Sequence, residues 1–218
     1  MIGYPLAITA AASPAAPRRA VAAAGLTLYL GATPALGPSL ALRLGRDRAC
    51  LPVGRGHGPF ESAAAARRWL SERAEALRAQ LEWIGARAEF VLSLECRDPL
   101  ARARAPRDEL SGAAYLRAAA ASRAAESAAA RRFDECVEAV RAALRAEAPA
   151  APQSLARLRP GAVDVSLLGP PALKQRLAAA APALAARFQP VLRLTGSGPW
   201  PPYSFVEIAA GPPRGEAA

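Results

Sequence analysis

Glu89 and Glu95 are the first candidates for chemistry. Their even spacing on an extended segment puts both carboxylates on one face, as acid–base catalysis requires. Ala88, Phe90, Leu92, Leu94 and Cys96 alternate with Glu89, Ser93 and Glu95, so the acids read as the solvated side of a half-buried strand. His57 is the sole histidine, and no carboxylate or cysteine stands beside it in sequence. It lies in Gly54-Arg55-Gly56-His57-Gly58-Pro59. That run lacks the Gly-Lys-Ser/Thr ending of a phosphate loop, and Pro59 breaks Gly-x-Gly-x-x-Gly spacing. It reads as a flexible turn. Cys50, Cys96 and Cys136 are odd in number and widely spaced, which fits neither a zinc set nor a disulfide framework. Free thiols in a reducing compartment are expected, with Cys96 and Cys136 as small buried hydrophobes. Without a triad, a metal cluster or a cofactor fingerprint, the sequence predicts no catalytic, metal or cofactor site.

The elements that must position these residues follow from periodicity and turn chemistry. Tyr4, Leu6 and Ile8 predict a first strand over 3–9. The run 10–19 reads as loop. Leu26–Leu30 and Leu40–Leu44 read as two strands about a Gly37-Pro38 turn, and Cys50–Val53 as a short strand broken by Pro52. Ser62 is a suitable N-cap for a helix with Trp69 or Leu70, Ala74, Leu77, Leu81 and Ile84 on its apolar face, and Gly85 suits its end. Residues 97–107 are charged and contain Pro99 and Pro106, which suits a domain boundary. A long helical region capped by Ser111 follows, with a stripe of Leu116, Ala119, Phe133, Val137, Val140 and Leu144. Residues 148–160 read as a Pro-rich linker. Val163, Val165 and Leu167 predict a strand. Pro170 and Pro171 open a helix with Leu173, Leu177, Leu184 and Phe188 on its stripe and a kink near Pro182. Val191–Thr195 is a return strand.

The stretch Leu194–Phe205 differs most from the Ala/Arg-rich background. Pro199, Pro201 and Pro202 fix their own φ and push the preceding residues to extended conformations. A stiff strap is expected, presenting Trp200, Tyr203 and Phe205. Two roles are open for it: a clasp packed over the C-terminal domain, with Trp200 in the core, or a partner-binding strap that loses little entropy on docking. The candidate partner-binding residues are Trp200, Pro201, Pro202, Tyr203 and Phe205.

This stretch resembles the C-terminal signature of the GvpL/GvpF family of gas vesicle synthesis proteins, which is close to Leu-Thr-Gly-Pro-Trp-Pro-Pro-Tyr-Ser-Phe. Ser197 and Gly198 are two extra residues here and lengthen the turn. Cys50–Val53 resembles the family's Leu-Pro-Val-Arg-Phe-Gly segment, although Gly54 stands where that pattern has Arg. Ser111–Leu116 resembles its Gly-x-x-Tyr-Leu helix start. The resemblance runs from about Cys50 to Ile208. It implies a non-enzymatic accessory protein of gas vesicle assembly. Such a protein would be cytoplasmic and vesicle-associated, and would contact the major shell subunit and other accessory proteins.

The chain has 218 residues, enough for one large domain or two small ones. Its net charge of +10 is almost all arginine, since Lys174 is the one lysine. The arginines are dispersed along helices, as on solvated faces or a surface for an acidic protein, and do not cluster with aromatics. Residues 20–42 carry no charge, but Pro34, Gly37 and Pro38 interrupt any membrane-length apolar run, so no membrane anchor is expected. The predicted fold is α+β with two small domains, each a short sheet backed by helices and ferredoxin-like in part. Residues 1–100 form the first domain. Residues 101–210 form the second, with the long helix and the strap, and 211–218 are a disordered tail. Beside the assembly protein stand two other readings. One is a basic nucleic-acid-binding module with a ferredoxin-like sheet, whose lack of an aromatic platform predicts weak, non-specific binding. The other is an enzyme using Cys50 or His57.

Overall fold

The computed structural model describes residues 1–10, 19–45, 48–54, 57–97, 112–188 and 191–208. The predicted loop over 10–19, the boundary segment over 97–107, the Ser111 cap and the tail lie wholly or mostly outside the described residues. The chain forms an α+β protein with two four-stranded sheets. It divides into two compact units, both discontinuous in sequence. The first holds Met1–Phe90, Leu168–Pro171 and Gly198–Ala218; the second holds Val91–Leu167 and Ala172–Ser197.

In the first unit, β1 (Tyr4–Thr9), β2 (Ala20–Ala23), β3 (Leu26–Gly31) and β4 (Leu51–Pro52) pair in the order β2-β3-β1-β4. The β2–β3 hairpin turns at Ala24 and Gly25, both with positive φ, where glycine carries no steric cost. The predicted strand at 40–44 is instead part of α1 (Gly37–Leu44). Pro38 falls in the first helical turn, where its missing N–H costs nothing, and Leu40, Ala41 and Leu44 are buried at helical spacing. Alternation over five residues could not separate this short helix from a strand.

Ser62 caps α2 (Ala63–Glu72) as expected, its Oγ accepting from the Ala65 N–H at 3.2 Å. The expected single helix breaks at Arg73, and α3 (Ala74–Ile84) continues the apolar face to Gly85, whose φ is +55°. Trp69, Leu70, Leu77, Leu81 and Ile84 join Ile8, Leu26, Leu28 and Leu30 in one core.

The second sheet is built from β5 (Ala88–Cys96), β6 (Gln153–Arg159), β7 (Ala162–Gly169) and β8 (Leu192–Trp200) in the order β6-β7-β5-β8, with α4 (Gly112–Glu147) and α5 (Leu173–Phe188) between strands. Most of it lies in the second unit, while Ala88–Phe90, Leu168–Gly169 and Gly198–Trp200 belong to the first. This is the split β-α-β of the ferredoxin-like arrangement. The expected linker at 148–160 contains β6, an edge strand antiparallel to β7. Edge strands tolerate charge, so Arg157 and Arg159 masked its pattern. In α4 the predicted stripe is buried from Phe133 to Leu144, but Leu116 is 66% exposed. Cys96 and Cys136, expected buried, are only partly so.

Candidate partner-binding surface

The strap begins inside β8, which runs on to Trp200 rather than stopping at Thr195. Pro201 and Pro202 are buried, and Tyr203–Phe205 closes as a 3-10 turn in which the Phe205 N–H donates to the Pro202 carbonyl at 3.2 Å. From Gly198 onward it belongs to the first unit.

The clasp reading assigned Trp200 to the core. Trp200 is 45% exposed and Tyr203 37%. The prolines and Phe205 make the inward contacts, with Phe205, Val206 and Ile208 packed on the first core.

Glu89 anchors this strap. The alternation on β5 predicted a solvated acid, but Glu89 is 4% exposed. Its carboxylate accepts from the Ser204 N–H at 2.9 Å and the Ser204 Oγ at 2.6 Å. Charge-assisted bonds of this kind offset the cost of burying the carboxylate. Downstream, the Gln80 amide on α3 bonds both backbone groups of Glu207, donating to its carbonyl at 2.7 Å and accepting from its N–H at 3.1 Å.

Sequence reasoning missed Trp83. It lies on α3 off the buried Leu77–Leu81–Ile84 stripe and is 46% exposed. A tryptophan outside the apolar stripe was the available signal. Its ring centroid stands 6.4 Å from Phe205, and the Arg87 guanidinium lies 5.1 Å over it, within cation–π range. On the other side, a Cβ on Gly37 would stand 3.5 Å from the Tyr203 hydroxyl, beside Leu36 at 53% exposure. Trp83 thus meets the strap at Phe205, and Tyr203 reaches Gly37 at the start of α1.

The residues considered for catalysis are dispersed. His57 is buried, edge-on to Trp69 at 5.8 Å. Burial holds its pKa below 6.5, with Arg73 adding to that effect and a backbone hydrogen bond with Ile208 opposing it. Cys50 lies in the core beside α1, where burial pushes its thiol up to about 12, far from a reactive thiolate. Glu95 is engaged by Arg159 at 2.7 Å. Among the described residues no group of three or more His, Cys, Asp or Glu could hold a metal ion. The sheet of the second unit presents Ser93, bonded to Asp164 at 2.6 Å, and Glu95 on its central strands, while Phe90 is buried. A sheet face carrying Ser93, Asp164 and the Glu95–Arg159 pair does not supply the aromatic stacking platform of RNA-binding sheets.

Fold and surface together define a two-unit α+β protein with an aromatic strap and no assembled reaction centre among the described residues. Residues 43–207 match the family described as "Gas vesicle synthesis protein GvpL/GvpF". The chain belongs to that family. Its fold is similar to the crystal structure of gas vesicle protein GvpF from Microcystis aeruginosa, with a TM-score of 0.67 at 14% identity over 95% of this chain and 100% of that one. It is equally similar to GvpF from Anabaena sp. PCC7120, with a TM-score of 0.67 at 14% identity over 94% and 98%. No curated protein matches the sequence.

Proposed function

We propose that this protein is a non-enzymatic assembly factor of gas vesicles that works in the cytoplasm and binds the major shell subunit through the strap of its first unit. The observation that carries this reading is the division of labour along the strap. Pro201 and Pro202 are buried while Trp200 and Tyr203 stand outward, 45% and 37% exposed. Large rings held on a stiff backbone offer apolar area at small entropic cost, the usual makeup of an interface hot spot. A shell subunit with hydrophobic surface is a suitable partner for such a face. Other gas vesicle accessory proteins are the next candidates. Family membership supports the setting. Neither Cys50, held as a buried thiol, nor His57, kept neutral by burial, is poised for nucleophilic or acid–base work. Among the described residues no helix is long and apolar enough to cross a membrane.

The test is capture of the shell subunit by the tagged protein. Wild type should retain it, and a Trp200→Ala, Tyr203→Ala double variant should retain at least tenfold less. Equal capture by both would remove the strap from the interface, and no capture by either would remove the shell subunit as the direct partner.

A further inference from the structure

We propose that Glu89 is the positioning residue of the strap, its buried carboxylate fixing where the aromatic face stands and so governing partner binding without touching the partner. The inference rests on the reading of that face as the shell-subunit surface. Three contacts converge on the same short length of chain. Glu89 accepts both the N–H and the hydroxyl of Ser204, the residue between Tyr203 and Phe205. Gln80 reads both backbone groups of Glu207 three residues on. Gly198 comes so close to β5 that a Cβ would stand 2.9 Å from the Glu89 carbonyl and 3.2 Å from Phe90, and its φ of +121° is itself glycine's territory. The strap is therefore held at Ser204 by Glu89 and at Glu207 by Gln80, and at Gly198, ahead of Trp200, its backbone runs close against that of Glu89.

Polar pins do something that apolar packing does not. Phe205 could slide on the core at modest cost, because dispersion contacts are non-directional. A carboxylate that is 4% exposed cannot give up its donors so cheaply, since no water replaces them. Glu89 thus sets the register of Tyr203 and Trp200 to a single position. Preorganisation of this kind raises affinity by lowering the ordering cost at the moment of binding.

The variants are Glu89→Ala, Glu89→Gln and Ser204→Ala in the full chain. Ser204→Ala changes an exposed residue and covers the case in which Glu89→Ala fails to fold. Two readouts are needed. Amide hydrogen exchange at Ser204 and Glu207 requires no partner. At positions 204 and 207 it should rise at least tenfold in Glu89→Ala and measurably less in Ser204→Ala, which keeps the residue-204 N–H bond to Glu89, while β1 and β3 amides keep their protection; Glu89→Gln, which keeps an acceptor, should recover part of the loss. Affinity for purified shell subunit should fall about tenfold in Glu89→Ala and measurably less in Ser204→Ala. Unchanged exchange at Ser204 and Glu207 overturns the proposal whatever the partner does. Raised exchange with unchanged affinity overturns the link to binding. If wild type binds no shell subunit, the partner reading fails by itself, and the positioning role is decided by the exchange alone.

Discussion

The central strands of the first sheet and the edge strand of the second bury themselves differently, although the second sheet's own central β7 is buried at every position but Asp164. In the first unit β1 is buried from Pro5 to Thr9, and every residue of β3 is buried. In the second unit β6 is exposed from Ala156 to Arg159, and its arginines make surface ion pairs, Arg157 with Asp134 at 3.0 Å and Arg159 with Glu95 at 2.7 Å. A strand covered on both faces tolerates no flexibility of register, since a one-residue slip would expose or crush its neighbours. The aromatic strap belongs to the first unit, the one that holds the fully buried β3. A binding face that must be rigid gains from that support.

The contrast is sharpest in core truncation. Leu28→Ala, in fully buried β3, should cost about 2–5 kcal/mol in denaturant unfolding. Leu158→Ala, 61% exposed on β6, should stay within about 0.5 kcal/mol. Similar costs at the two sites would erase the distinction. A second, smaller effect belongs to the α2 cap of the first unit: Ser62→Ala removes the acceptor for the Ala65 N–H and should cost about 1 kcal/mol by the same measurement.

Acid should weaken the first unit through His57. Its folded pKa lies below 6.5, so between that pKa and 6.5 the unfolded chain holds a proton that the folded chain lacks. Stability therefore falls as pH drops through 6.5, and the loss stops growing below the folded pKa. Melting temperatures of wild type and His57→Gln from about pH 7.5 down to about pH 5 should diverge, the variant losing less on acidification. Parallel curves would mean that His57 is not the group responsible. The smallest effects lie on the wet edge of the second unit. Arg157→Ala and Arg159→Ala should each change stability by about 0–1 kcal/mol, and the change should shrink in about 1 M salt.

How much could be read in advance differs along the chain for physical reasons. β1, β3, β5 and β7, the Ser62 cap and the Gly85 turn were all legible, because side-chain period and turn chemistry are local. Leu40–Leu44 was misread because a five-residue apolar run fits either period. Gln153–Arg159 was misread because an edge strand may carry arginines that a linker also carries. Leu116 falls on the helical stripe of α4, yet that stripe finds no cover there. The strap was visible as a proline-rich aromatic run, but which rings faced outward was not. Nor was the burial of Glu89, whose partner Ser204 stands 115 positions on. Alternation reports one covered face, and the end of β5 has two.

One measurement bears most directly on the strap as a preformed binding face: melting temperature and shell-subunit affinity determined together for Trp200→Ala and Tyr203→Ala. With the two residues 45% and 37% exposed, each substitution should cost under about 1 kcal/mol in stability, well short of the ~3–5 kcal/mol of a core aromatic. Each should nevertheless weaken shell-subunit binding by about 2 kcal/mol or more. A large fall in melting temperature with unchanged affinity would contradict this, and would make the strap a clasp.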